Sequence, residues 1–155
     1  MLINKKQAGE TIVEVLISIL VISVALAGAF AISNRSQKTV QANQERYQAQ
    51  ILANSQADLL KNYLSTHQDS RPSSTVYSNG FYISPKDYQN LKNCNTIANC
   101  QVTADDSTIP YTVKITCNDT VCNSSDPYNT YKITVTWDSL ISSGGQDNVE
   151  LYYGS

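Results

Sequence analysis

Few residues in this chain could do chemistry, and they fall in three places. Glu10 and Glu14 stand four apart at the start of a long apolar run, and Cys94, Cys100, Cys117 and Cys122 lie in the second half. Acidic residues, Asp105-Asp106 and the Asp119–Asp126 stretch, punctuate polar segments between them. His67 is the only histidine, every cysteine belongs to the set of four, and no glycine-rich phosphate loop is present. Nucleophilic and acid–base catalysis need a nucleophile beside a base, and neither can be assembled from this inventory. No enzyme and no cofactor are expected. The acids could give oxygens to calcium, but their spacing fits no calcium motif, so no metal site is expected either. With 15% charged residues and a formal net charge of -2, a broad nucleic-acid surface is also excluded.

The two glutamates matter because of what surrounds them. Val15 to Ile32 carries no charge, broken only by Ser18, Ser23 and Gly28. At helical rise this run spans roughly 27 Å, close to the hydrocarbon thickness of a bilayer. Lys5 and Lys6 precede it without an acid among the first nine residues. The positive-inside rule then puts the N-terminus in the cytoplasm and the rest outside. A cleaved signal peptide would explain the run, and "ALAGAFA" offers small-residue cleavage sites around Ala27 and Ala31. Glu10 and Glu14 stand where a conventional signal merges into its apolar core, and the helical pattern continues beyond the run. Both weigh against that explanation. A carboxylate inside a membrane helix costs about 2.5–3.5 kcal/mol at mid-bilayer, and less near an end, so Glu14 is expected to have a function and a partner.

After Ile32 no proline occurs before Pro72, and after Gly28 no glycine before Gly80. Val40, Tyr47, Ile51, Leu52, Leu59, Leu60, Tyr63 and Leu64 recur at helical spacing, with Gln, Asn, Arg and Lys between. One helix from about Thr11 to Thr66 is predicted, roughly 84 Å long, apolar all round in its first half and amphipathic in its second.

Past Gln68 the chain turns β-rich. "DSRPSS" is a linker that Pro72 bars from helix. Asn79-Gly80 in "TVYSNGFYIS" predicts a hairpin, and "SPKDYQNLKNCNTIANC" reads as a turn and a cysteine loop. "PYTVKITC", "TYKITVTWDS" and "DNVELYYG" alternate strictly, placing Val113, Ile115, Cys117, Tyr131, Ile133, Val135, Trp137, Val149, Leu151 and Tyr153 on one face. Such alternation marks an antiparallel meander with one wet face. The expected fold is α+β: one long helix whose amphipathic half packs on an antiparallel sheet of three to five strands.

The cysteines lie in the exported part. Neither neighbouring pair has the two-residue gap of a zinc knuckle, so disulfides are expected. Cys94–Cys100 with Cys117–Cys122 is the simplest of three connectivities, each short loop adding roughly 2–3 kcal/mol on the chain-entropy model. Asn118-Asp-Thr120 and Asn123-Ser-Ser125 match the glycosylation pattern, which arises readily by chance in an Asn/Ser/Thr-rich chain.

The stretch "AGETIVEVLISILVISVALAG" resembles the start of type IV prepilins and type II secretion pseudopilins. The resemblance covers roughly the first third of the chain. It implies a pilin fold and a leader, residues 1–9, cut by prepilin peptidase between Gly9 and Glu10. The new amine of Glu10 would be methylated, although the family usually has Phe or another apolar residue there. Glu14 then falls fifth, where the family's glutamate attracts a neighbouring subunit's terminal ammonium and sets filament register, with Thr11 in its usual place. Residues 10–33 would form the transmembrane and filament-core helix, 34–67 the amphipathic helix, and 68–155 the β-rich globular domain. Implied partners are other pilin subunits through their N-terminal helices, prepilin peptidase, the inner-membrane assembly machinery and the lipid bilayer. The implied location is a single pass of the inner membrane, then an extracytoplasmic or cell-surface filament. "ILANSQADLL" and "VTW" before a Gly-rich loop and "VELYY" are similar to V-type minor pilins and I-type pseudopilins. A minor pilin is the leading expectation. The alternatives are a pseudopilin of a secretion or DNA-uptake machine, and an anchored or secreted adhesin using its tyrosines.

Overall fold

A run of good helix formers without proline gives α1, Gln7–Thr66, a single 60-residue helix. The computed structural model of the chain describes residues 7–103, 109–118, 122, 128–139 and 145–154. It divides into two units, residues 1–40 and 41–155. In the first unit α1 runs alone: its described apolar side chains, from Ile12 at 62% to Ile32 at 73%, are exposed. The helix is long and apolar enough to cross a membrane.

In the second unit α1 has a sheet to pack on. The strands are β1 (Phe81–Ser84), β2 (Asp87–Asn93), β3 (Gln101–Thr103), β4 (Pro110–Cys117), β5 (Thr130–Asp138) and β6 (Gln146–Gly154). All pairings are antiparallel, in the order β2-β1-β4-β5-β6, with β3 also beside β4. The α+β architecture is the expected one. The sheet has six described strands rather than three to five: β2 falls in the segment that reads as a turn before the cysteine loop, and β3 is a three-residue strand just after that loop. Asn79-Gly80 does not join two strands. Gly80 instead turns the chain into β1 with φ of 84°, and a Cβ there would meet the Ile115 carbonyl oxygen at 2.7 Å. The hairpin lies one step later, between β1 and β2 across Pro85-Lys86.

The alternating strands pack as their pattern dictates. Tyr111, Val113 and Ile115 of β4 and Tyr131, Ile133, Val135 and Trp137 of β5 are buried in register, Tyr111 opposite Trp137 and Val113 opposite Val135. The inward residues of β6, Val149, Leu151 and Tyr153, are half-buried at the sheet's edge. On the outer face Lys132 pairs with Glu150 at 2.6 Å.

The helical stripe that meets this core is shifted from the expected one. Ala49, Ala53, Leu60, Tyr63 and Leu64 are buried, whereas Val40, Tyr47 and Ile51 are exposed. Alanines at the contact let the helix backbone come close to the sheet, and the larger residues flank the seam. At the far end, the His67 amide bonds to the Tyr63 carbonyl at 2.9 Å and the His67 ring stacks on Tyr63. Tyr131 donates to the Pro72 carbonyl at 3.2 Å, fixing the linker after the helix. Burial holds the Tyr131 hydroxyl above its ordinary pKa, partly offset by the hydrogen bond with Asn129.

Disulfides join Cys94 to Cys100 and Cys117 to Cys122, the neighbouring pairs, with Cα–Cα distances of 5.6 and 6.0 Å. Each closes a short loop beside a strand rather than tying distant elements. The calcium candidates Asp105, Asp106, Asp119 and Asp126, and the residues 120 and 123–125 of the glycosylation patterns, lie outside the described residues. Among the described residues no group of three acidic, histidine or cysteine side chains could hold a metal.

Candidate functional site: an apolar helix carrying a carboxylate

Gly9, Glu10, Thr11 and Glu14 fall on α1. Gly9, Glu10 and Thr11 have helical backbone, and their side chains lie outside the described residues. Glu14 is one turn further on, exposed, and set among Ile12, Val13, Val15, Leu16 and Ile17, each more than half exposed. A helix needs such an apolar run only if something apolar is to surround it, lipid or other helices. The polar atoms within the run are otherwise quiet. Ser18 donates its hydroxyl to the Glu14 carbonyl oxygen at 2.8 Å, and Ser23 to that of Ile19 at 2.7 Å. Both serines satisfy themselves on the preceding turn, which is how hydroxyls are tolerated in an apolar medium. The Glu14 side chain has no such partner among the described residues.

Glycine, glutamate and the apolar run thus stand in one order along one helix, and Lys5 and Lys6 precede them in the sequence. Residues 4–30 match the family model of the prokaryotic N-terminal methylation motif. This is the signal motif of type IV prepilins and pseudopilins. No curated protein and no solved structure matches the chain. The methylation motif supports a protein of the type IV pilin or pseudopilin type, a structural class, with its apolar helix as membrane anchor. It implies assembly with other pilins and recognition by prepilin peptidase.

Two polar residues that hold the helix to the sheet escaped sequence reasoning. Glu45 is buried at 5% exposure and accepts a hydrogen bond from Trp137 Nε1 at 3.1 Å on Oε2. Its Oε1 is enclosed and has no partner among the described residues. Beside it, Tyr111 donates to Gln48 Oε1 at 2.9 Å. One turn beyond Ala53, buried Gln56 meets the backbone of Ile83 in β1 twice. Its Nε2 donates to the Ile83 carbonyl at 2.9 Å and its Oε1 accepts from the Ile83 amide at 3.1 Å. The side-chain amide does what a neighbouring strand would do. β1 is in register with β4 only at Phe81 and Ile115, so Gln56 completes its pairing. A signal did exist: Glu45, Ala49, Ala53, Gln56, Leu60 and Tyr63 follow helical spacing once alanine and neutral amides are admitted to the contact face.

Proposed function

We propose that this protein is a minor pilin: a structural subunit held in the inner membrane, processed by prepilin peptidase after Gly9, and added to an extracytoplasmic filament. The observation that carries this reading is Glu14, a carboxylate on an exposed apolar helix, five residues after the glycine of a methylation motif. Once the leader of residues 1–9 is removed, Glu10 provides the new terminal ammonium and is the candidate for N-methylation. In a filament core built from apolar helices, that ammonium and a neighbour's Glu14 attract strongly because no water screens them. Either charge left alone there would be an uncompensated buried ion. The pair thus fixes the axial step between subunits, with residues 10–33 in the core and Thr11 beside the junction. Residues 34–67 carry the helix into the globular domain, and residues 68–155 are displayed. Before assembly, Lys5 and Lys6 keep the N-terminus cytoplasmic. A secretion or DNA-uptake pseudopilin would use the same helix chemistry, and an adhesin cut as an ordinary signal would not.

Intact-mass measurement of the mature protein tests the reading. The expected chain begins at Glu10, with one added methyl if its amine is modified. A chain beginning near Gly28 or Ser33 would be a signal-peptide product, and the pilin reading would fail.

A further inference from the structure

A cleft of about 700 Å³ opens between the β1–β2 hairpin and the short 3-10 turn Ile97–Cys100 with β3. Its volume is that of an ordinary small-ligand site. Tyr82, Lys92, Asn93, Asn95, Asn99 and Gln101 line it, so four of these six residues are side-chain amides. Lys92, Asn95, Asn99 and Gln101 are exposed, and their side chains take no protein hydrogen bond among the described residues. Asn93 donates its Nδ2 to the Val76 carbonyl at 3.3 Å, but its Oδ1 is enclosed and has no partner among the described residues. The Cys94–Cys100 disulfide ties the β2 end of the cleft to the turn, holding Asn95 and Asn99 on one short closed loop.

We propose that this cleft binds a saccharide. An amide side chain donates and accepts at once, which matches vicinal hydroxyls that must also do both. Among the described lining residues Lys92 is the single charged side chain, so sugars bearing a carboxylate are favoured over neutral ones. A peptide strand fits less well, because strand recognition needs apolar pockets at alternate positions and amides dominate here. Among the described lining residues Ser84 has no histidine or acid beside it to activate its hydroxyl, so the role of the cleft is binding and not turnover. The inference is independent of filament assembly, since every residue it uses belongs to the unit of residues 41–155.

The test uses the full chain in detergent micelles, immobilised and probed with sialyllactose, trigalacturonate, chitotriose, cellotriose and an extended control peptide. Retention of the acidic sugars is expected, weakened at least about tenfold in the double variant Asn99→Ala, Gln101→Ala. Lys92→Gln should erase the advantage of acidic over neutral sugars. These three positions are exposed, so an unchanged melting temperature will show that the fold is intact. A separate variant, Asn93→Asp, keeps the shape but removes the amide donor to Val76, and should weaken retention less than the double variant. Failure to retain any of the four sugars would overturn the proposal. So would retention that ignores the variants, or preferential capture of the peptide.

Discussion

Two carboxylates on one helix meet opposite surroundings. Glu14, in the unit of residues 1–40, is exposed among exposed apolar side chains. Glu45, in the unit of residues 41–155, is enclosed and accepts a hydrogen bond from Trp137. The helix backbone and the side-chain chemistry are the same, so the difference lies in what each acid was placed to meet. Glu45 has found a donor within its own chain and contributes to folding. Glu14 has none among the described residues, and on the reading proposed above its partner belongs to another subunit. The serines follow the same division: near Glu14 they bond back to their own helix, whereas Gln48 and Gln56 reach across to the sheet.

If that division is right, the two acids should fail in different assays. The largest expected effect is that of Glu14→Ala, which should abolish filament assembly, scored by electron microscopy of sheared surface fractions. Membrane insertion and the melting temperature of the globular unit should be unchanged, since Glu14 belongs to the unit of residues 1–40. Filaments of normal abundance from this variant would remove Glu14 from the register. Next in size is Trp137→Phe, which deletes the donor to a buried carboxyl and leaves a small cavity. A loss of about 2–4 kcal/mol is expected by denaturant titration. Glu45→Gln keeps an acceptor for Trp137 Nε1 and should cost less, about 1 kcal/mol. Should Trp137→Phe leave stability untouched while blocking assembly, the contrast between the two acids would be reversed.

How much of this was legible beforehand follows the same physical line. Val113, Ile115, Tyr131, Ile133, Val135 and Trp137 declared their inward face because a strand's period of two leaves no choice once one side is buried. The long helix was legible from the absence of Pro and Gly, and the motif from Gly9 to Glu14 from residue order alone. What was missed is held by contacts that periodicity does not record. The Asn79-Gly80 pair suggested a hairpin, but glycine is needed at 80 because the turn into β1 takes a positive φ and a Cβ would meet the Ile115 carbonyl, not to reverse two strands. "KDYQNLKN" is polar because β2 is an exposed edge strand beside β1 only, so it has no buried face to advertise. The stripe was misplaced because Ala49 and Ala53 carry little hydrophobic signal, yet they are what allows close approach, and Glu45 and Gln56 fall outside any apolar count.

The smallest expected effect concerns pH and again separates the two units. Residues 1–40 contain no tyrosine, whereas the second unit buries several. Burial raises the Tyr82 pKa, and burial followed by the nearby Tyr77 raises that of Tyr63. An unfolded tyrosine titrates near 10. Below that pH the phenol is neutral in both states and the stability is fully present. As pH rises past the unfolded value, the unfolded chain loses its proton first, and stability falls until the folded pKa is passed. Alkaline unfolding of the sheet unit should therefore begin above about pH 10, read by near-ultraviolet dichroism of its tryptophan and tyrosines. Tyr82→Phe should move that transition upward while leaving stability at pH 7 within about 0.5 kcal/mol, because its hydroxyl has no partner among the described residues to lose. Tyr131→Phe, by contrast, gives up the bond to Pro72 and should cost about 1 kcal/mol at neutral pH. A helix signal from residues 1–40 that collapsed together with the tyrosines would show that the two units are not as separable as Glu14 and Glu45 suggest.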